Sequence, residues 1–155
     1  MFHSIRWRIA VPYIVLTLLT LLGLTVLVTD RAREEHLADL RVTLLSEARL
    51  IADASLPYLA GPDAITPAET TLDELAKRWG ALVEGRVTII GVDGVVLGES
   101  QQNRALMDNH LSRPEVQDAL RSAEGTSIRF SSSVDRNMMY GAVPVVSEGA
   151  TVGVA

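Results

Sequence analysis

The chain has 155 residues, 48% of them hydrophobic, with 14 basic and 19 acidic side chains and a formal net charge of −5. An acidic chain whose only lysine is Lys77 is a poor binder of nucleic acid. The absence of cysteine excludes disulfides, thiolate catalysis and cysteine metal sites, so the core must hold by packing alone.

Ile9 to Val28 is a run of twenty residues without a charge. At about 1.5 Å per residue it spans the roughly 30 Å hydrocarbon core of a bilayer as one helix. Thr17, Thr20 and Thr25 can bond back to carbonyls of their own helix. Pro12 sits in the first turns, where a missing N–H costs least. The apolar part of a cleaved signal peptide is shorter, about 7 to 15 residues, and ends in small residues before the cut. Here the run ends in Leu27-Val28-Thr29-Asp30-Arg31. These features predict an uncleaved transmembrane helix over 9–29 behind a short cytoplasmic tail, 1–8. Arg6 and Arg8 on the short side face Arg31, Arg33 and Arg41 on the long one, so charge alone leaves the orientation open. A short tail inside and a long segment outside is the default. It places residues from about 30 onward outside the cytoplasm, in a cell membrane crossed once.

Residues 30–59 read as a second stretch of helix, with Leu37, Leu40, Leu44, Ala48, Ile51, Ser55 and Leu59 spaced by threes and fours along one stripe. Nothing between Gly23 and Pro57 breaks a helix, so the membrane span is expected to continue into it. The stripe suits packing on the chain's own domain and a seam between two copies in a homodimer. A loop follows over 60–70. Thr66-Pro67-Ala68-Glu69 and Thr71-Leu72-Asp73-Glu74 each offer a capping box for the next helix, which Gly80 or Gly85 can end. Arg86–Val92 and Val95–Glu99 are β-rich runs around Asp93-Gly94, a pair suited to the positive φ angles of a tight hairpin. Ser112-Arg113-Pro114-Glu115 makes another capping box, for a short helix through Ala123 that Gly125 stops. Strands are expected over Thr126–Ser132, Met138–Val145 and Thr151–Ala155. The order is that of an α+β sensor-like fold with one antiparallel sheet, occupying 71–155. Its last strand ends at Ala155 with no polar close, as in a fragment of a longer product.

Arg86–Ser100 (RVTIIGVDGVVLGES) and Met107–Leu120 (MDNHLSRPEVQDAL), with Ser127–Phe130 and Tyr140–Pro144 after them, resemble the extracytoplasmic sensor segment of bacterial sensor histidine kinases, most closely the phosphate-regulon type. The resemblance covers about Ile5 to Ala155. Gly91 departs from it, standing where that family often carries a carboxylate. The resemblance implies a PAS-like or Cache-like outer domain behind a membrane helix, signalling as a homodimer to a kinase core. That core would bind ATP and magnesium and pass phosphate to a cognate response regulator. None of these later parts lies in the 155 residues. His36, in Glu34-Glu35-His36-Leu37-Ala38, lacks the Thr-Pro that follows the family's phosphoacceptor. An alternative is a membrane-anchored binding module of a chemoreceptor, a cyclase or a stand-alone protein.

The catalytic motifs G-x-S-x-G, H-E-x-x-H and the P-loop are all missing, so no catalytic residue, cofactor or metal site is expected in this segment. Four residues are candidates for a ligand pocket: Arg129, Tyr140, His110 and Arg113. Arg113 and the amides that start the Ser112 helix can hold a carboxylate or phosphate, with Glu115 competing for those amides. Arg129 alternates with the core-like Ile128 and Phe130 and so points away from them. Tyr140 shares a strand face with Met138. Leu37, Leu40, Leu44, Ala48 and Ile51 are the candidates for carrying a signal along the helix, and the membrane partner is lipid.

Overall fold

The computed structural model describes residues 5–60, 68–131 and 135–155. The loop expected after Ala60 and the Thr66 capping box fall largely outside these residues. The chain divides into two compact units, Met1–Leu40 and Arg41–Ala155.

One helix, α1, runs over Ile5–Leu59 without a break. In the first unit its apolar side chains are exposed, Leu18 at 62% and Leu22 at 63% among them. Its threonines do bond back, Thr17 Oγ1 to Tyr13 O at 2.8 Å, Thr20 Oγ1 to Leu16 O at 3.1 Å and Thr25 Oγ1 to Leu21 O at 2.8 Å. Each hydroxyl is thereby satisfied within the helix, as a non-aqueous surrounding requires. Among the described residues this is the one helix long and apolar enough to cross a membrane.

In the second unit the remainder of α1 buries Leu45, Ala48, Ile51, Ala52 and Ser55. The stripe is therefore broader than threes and fours from Leu37 suggested, because Leu45 and Ala52 share it. After it come α2 (Ala68–Leu82), β1 (Thr88–Gly91), β2 (Val96–Glu99), a single 3₁₀ turn (Arg104–Leu106), α3 (Pro114–Ser122), β3 (Gly125–Ser131), β4 (Arg136–Ala142), β5 (Pro144–Ser147) and β6 (Ala150–Val154). One ladder orders β2-β1-β6-β5 and a second pairs β3 with β4. The two join at one residue, since Val143 and Ala155 exchange backbone bonds of 2.9 and 3.0 Å. β4 and β5 are thus one long strand read through Val143, and the whole is a single antiparallel sheet ordered β2-β1-β6-β5/β4-β3. The strand expected over Met138–Val145 is divided there because Pro144 brings no N–H to the ladder.

Side chains sort by face. Ile89 packs with Ile51 of α1 and with Leu72 and Ala76 of α2. Its neighbour Ile90 packs with Val116 and Ala119 of α3, and with Ala142 and Val154. Alternation along the strand thereby sends α1 and α2 to one side of the sheet and α3 to the other.

Several local expectations are corrected. Helix α2 starts at Ala68, so Thr71–Glu74 lies inside it rather than at its cap. Asp73 accepts from Lys77 of its own helix and from the Glu99 amide, tying α2 to β2. Gly94 takes φ +84° but Asp93 does not take a positive φ, and Gly94 N donates to Gly91 O at 2.9 Å. That is a three-residue hairpin loop closed by glycine; the two-residue primed turn falls instead at Glu148-Gly149, with φ +50° and +84°. The Ser112 capping box does not form: Arg113 is the N-cap residue and makes no side-chain capping bond. Gly125 does not stop α3 either, since Ala123 takes the left-handed cap at φ +65°. Gly125 is needed for another reason, because a Cβ there would lie 1.9 Å from the Glu115 carbonyl oxygen. It lets β3 begin in contact with α3.

Candidate functional site

The close approach at Gly125 sets α3 against the face of β3 that carries Ser127, Arg129 and Ser131. On this strand alternation runs opposite to the expectation. Ile128 and Phe130 are exposed at 57% and 58%, while Ser131 is buried and Ser127 and Arg129 are half-buried. Register places Tyr140 opposite Ser127 and Met138 opposite Arg129, so these side chains share the inward face. The polar face of β3–β4 is the covered one.

Glu115, in the first turn of α3 and only 4% exposed, turns onto that face. Its carboxylate accepts from Ser127 Oγ at 2.5 Å and from Arg129 Nη2 at 3.0 Å and Nε at 3.3 Å. Burial alone would raise its pKa; the bonds from Ser127, Arg129 and its own amide outweigh burial and hold it below the ordinary carboxylate value. The Arg129 guanidinium lies 3.6 Å from the centroid of the Tyr140 ring, a cation–π contact that fixes the plane of the fork.

Asn109, His110 and Arg113 arrive from the segment before α3, which is stitched to the β1–β2 hairpin. His110 N donates to Gly94 O at 2.9 Å, and Asn109 Nδ2 to Asp93 O at 2.7 Å. His110 is 3% exposed, and its Nδ1 lies 2.6 Å from Asp108 O, which fixes that nitrogen as the protonated one. Burial, with Arg113 nearby, pushes its pKa down. Arg113 is half-buried, makes no side-chain capping bond, and among the described residues its guanidinium has no hydrogen-bond or ion-pair partner. Burial and then the neighbouring Arg129 press its pKa down, while Glu115 and Tyr140 act the other way.

Glu115, Arg129, Tyr140, His110 and Arg113 line a cavity of about 290 Å³ that continues between β1 and β4, past Ala155, to Leu44 and Ile51 of α1. Beside it, Arg86 Nε meets the fully buried Glu99 at 3.0 Å, and Glu99 also accepts from Thr88 Oγ1 at 2.8 Å. That pair ties β1 to β2 and consumes the charge of Arg86.

All four candidate ligand residues, Arg129, Tyr140, His110 and Arg113, therefore line one cavity. Of the candidate signalling positions, Ala48 and Ile51 are buried in the second unit and Leu44 is half-buried, whereas Leu37 and Leu40 are exposed at 37% and 40%. His36 is exposed on α1. Glu115 was missed as a site residue, because its spacing from Ser112 fitted a cap. The signal that finds it is the row Ser127, Arg129, Ser131 at alternate positions, a polar strand face that needs a buried counter-charge. Chemically, the part of the recess under α3 offers the Arg113 guanidinium, the Arg129 guanidinium already paired with Glu115, a neutral imidazole and a phenol.

A four-stranded antiparallel ladder joined through Val143 to the β3–β4 pair, with the end of α1 on one face and a short helix over a polar recess on the other, defines the chain's second unit as a PAS-like, Cache-like fold. Two solved structures share it. The sensor domain of the histidine kinase DctB of V. cholerae matches with a TM-score of 0.64 at 16% identity, over 81% of this chain and 50% of that one. The DcuS sensor domain of E. coli matches with a TM-score of 0.58 at 15% identity, over 76% of this chain and 85% of that one. The chain spans half the length of the DctB domain it matches. No protein-family model and no curated protein sequence matches the chain.

Proposed function

We propose that this chain is the sensing input portion of a membrane-bound sensor histidine kinase, of the phosphate-regulon type that its Arg86–Leu120 segments resemble, and that its recess binds a small anion. The single observation that carries the anion reading is Arg113: a half-buried guanidinium, without a partner among the described residues, lining a cavity. A cation so placed is stabilised by an anion that arrives from outside the protein. Membrane attachment is supported by the exposed apolar face of α1. In this reading residues from about 30 onward lie outside the cytoplasm, and the helix of a homodimer carries the signal inward to a kinase core and its response regulator. A shift between two packed states needs only a few kcal/mol of differential binding, so a small anion suffices.

The test is calorimetric titration of the full chain, held in lipid nanodiscs, with inorganic phosphate and with simple carboxylates. We expect saturable binding to the wild type and at least a tenfold loss in Arg113→Gln. If no anion binds, or if Arg113→Gln binds equally well, the anion reading fails.

A further inference from the structure

We infer that Glu115 sets the charge of the ligand, so that the recess accepts an anion of one negative charge and discriminates against two. The inference rests on the anion reading above and adds to it the chemical class.

A count of charges facing Arg113 carries the argument. Arg129 is compensated by Glu115, whose carboxylate engages it through two nitrogens. Arg86 is compensated by Glu99 at 3.0 Å. Among the described residues His110 has no carboxylate within bonding distance, and its Nδ1 proton is committed to the Asp108 carbonyl. One net positive charge remains around the recess, on Arg113. Glu47, half-buried, lines the farther wall, which therefore adds negative charge rather than positive. Glu84 and Arg136, also at the cavity and opposite in sign, are both exposed and screened by water.

A ligand carrying one negative charge neutralises Arg113 and leaves the cluster balanced. A second negative group on the same small ligand has three places to go. It can press against Glu115, compete with Glu115 for Arg129, or sit in the cavity without a counter-charge. Like charges held close in a partly dry site repel, and an unpaired buried charge is costly. Glu115 cannot withdraw, because Ser127 and Arg129 hold it from one side and the Gly125 contact locks its backbone against β3. Nor does it escape by taking up a proton, since its bonds favour the charged form.

Two ligand pairs of matched size test this, methyl sulfate against sulfate and glutarate monoamide against glutarate, titrated into the full chain in nanodiscs near pH 7. The expected result is that the wild type binds the singly charged member of at least one pair ten or more times more tightly. In Glu115→Gln, which keeps the shape and can still bond Ser127, that preference shrinks at least tenfold or reverses. Glu115→Asp, which keeps the charge, retains it. Equal or tighter binding of the dianions by the wild type overturns the inference while leaving the anion site standing. So does a preference that Glu115→Gln leaves unchanged. If neither member of either pair binds, the underlying anion reading fails and this inference falls with it. The wild-type ratio decides even if Glu115→Gln does not fold.

Discussion

Glu115 and His110 are both nearly buried and both ionisable, yet the structure treats them oppositely. Glu115 is given donors on both oxygens, so it stays charged. His110 is given burial, one carbonyl acceptor and three arginines in its surroundings, so it stays neutral. A base whose folded pKa is depressed binds protons more readily when unfolded. Its contribution to stability is therefore complete above the unfolded pKa, about 6.5, and is lost as the pH falls through the lower folded value. Denaturant midpoints of the full chain measured between pH 7.5 and 5 should fall with pH across that window. In His110→Gln, which titrates nothing there, the dependence should flatten. Asp73 and Glu115, with pKa values held down, act in the same direction but only at more acid pH, below about 4.5. A midpoint independent of pH between 7.5 and 5 in the wild type would remove His110 as the responsible group. An anion bound at Arg113 should raise the His110 pKa and so narrow the window.

At the level of elements, the long helix, the β1–β2 hairpin and the last strands were legible because each rests on local pattern: an uninterrupted helical stripe, a glycine between β-rich runs, alternation. β3 was located but its faces were inverted. Ile128 and Phe130 look like core on composition, yet the covered face is the one bearing Ser127, Arg129 and Ser131. Two-fold alternation states which residues share a face and never which face is covered. That choice is made by contacts distant in sequence, here α3 docking through Gly125 and the Glu115–Arg129 pair. The four candidate residues, Arg113, Arg129, His110 and Tyr140, were picked out as residue types, and the structure brings them to one cavity. Its charge balance was not legible, because that depends on where Glu115 points. The docking of α3 on β3 is the feature most exposed to a single change. Gly125→Ala would place a methyl 1.9 Å from the Glu115 carbonyl and 2.8 Å from the Ala119 amide nitrogen, both backbone atoms that cannot swing aside. Overpacking of this kind costs about 1 to 3 kcal/mol. The loss should appear in urea unfolding as a lower midpoint, accompanied by weaker anion binding since Glu115 must shift. A midpoint within about 0.5 kcal/mol of wild type would mean that α3 is not held through this contact.

For the molecule as a whole, the two units differ in how far they bury their apolar side chains. The second buries its apolar side chains in three clusters under a sheet with helices on both faces. The first has no such core: Leu16, Leu18, Leu19, Leu21, Leu22 and Leu24 are each about 60% exposed. Its Thr17, Thr20 and Thr25 hydroxyls are satisfied within the helix and its apolar surface is not. An isolated helix in water leaves all of that surface unfavourably hydrated, at about 25 cal/mol per Å². A hydrocarbon phase removes the penalty while asking nothing further of a backbone already bonded within the helix. The full chain should therefore float with lipid vesicles in a density gradient and resist extraction by alkaline carbonate. Leu18→Arg with Leu22→Arg puts two guanidiniums near the middle of the span, at about 2.5 to 3.5 kcal/mol each on an insertion scale. The doubly substituted chain should lose most of its carbonate resistance, while its second unit, which neither residue belongs to, should unfold in urea at the wild-type midpoint. Equal retention of both chains would mean that the apolar face of α1 is covered by protein rather than by lipid.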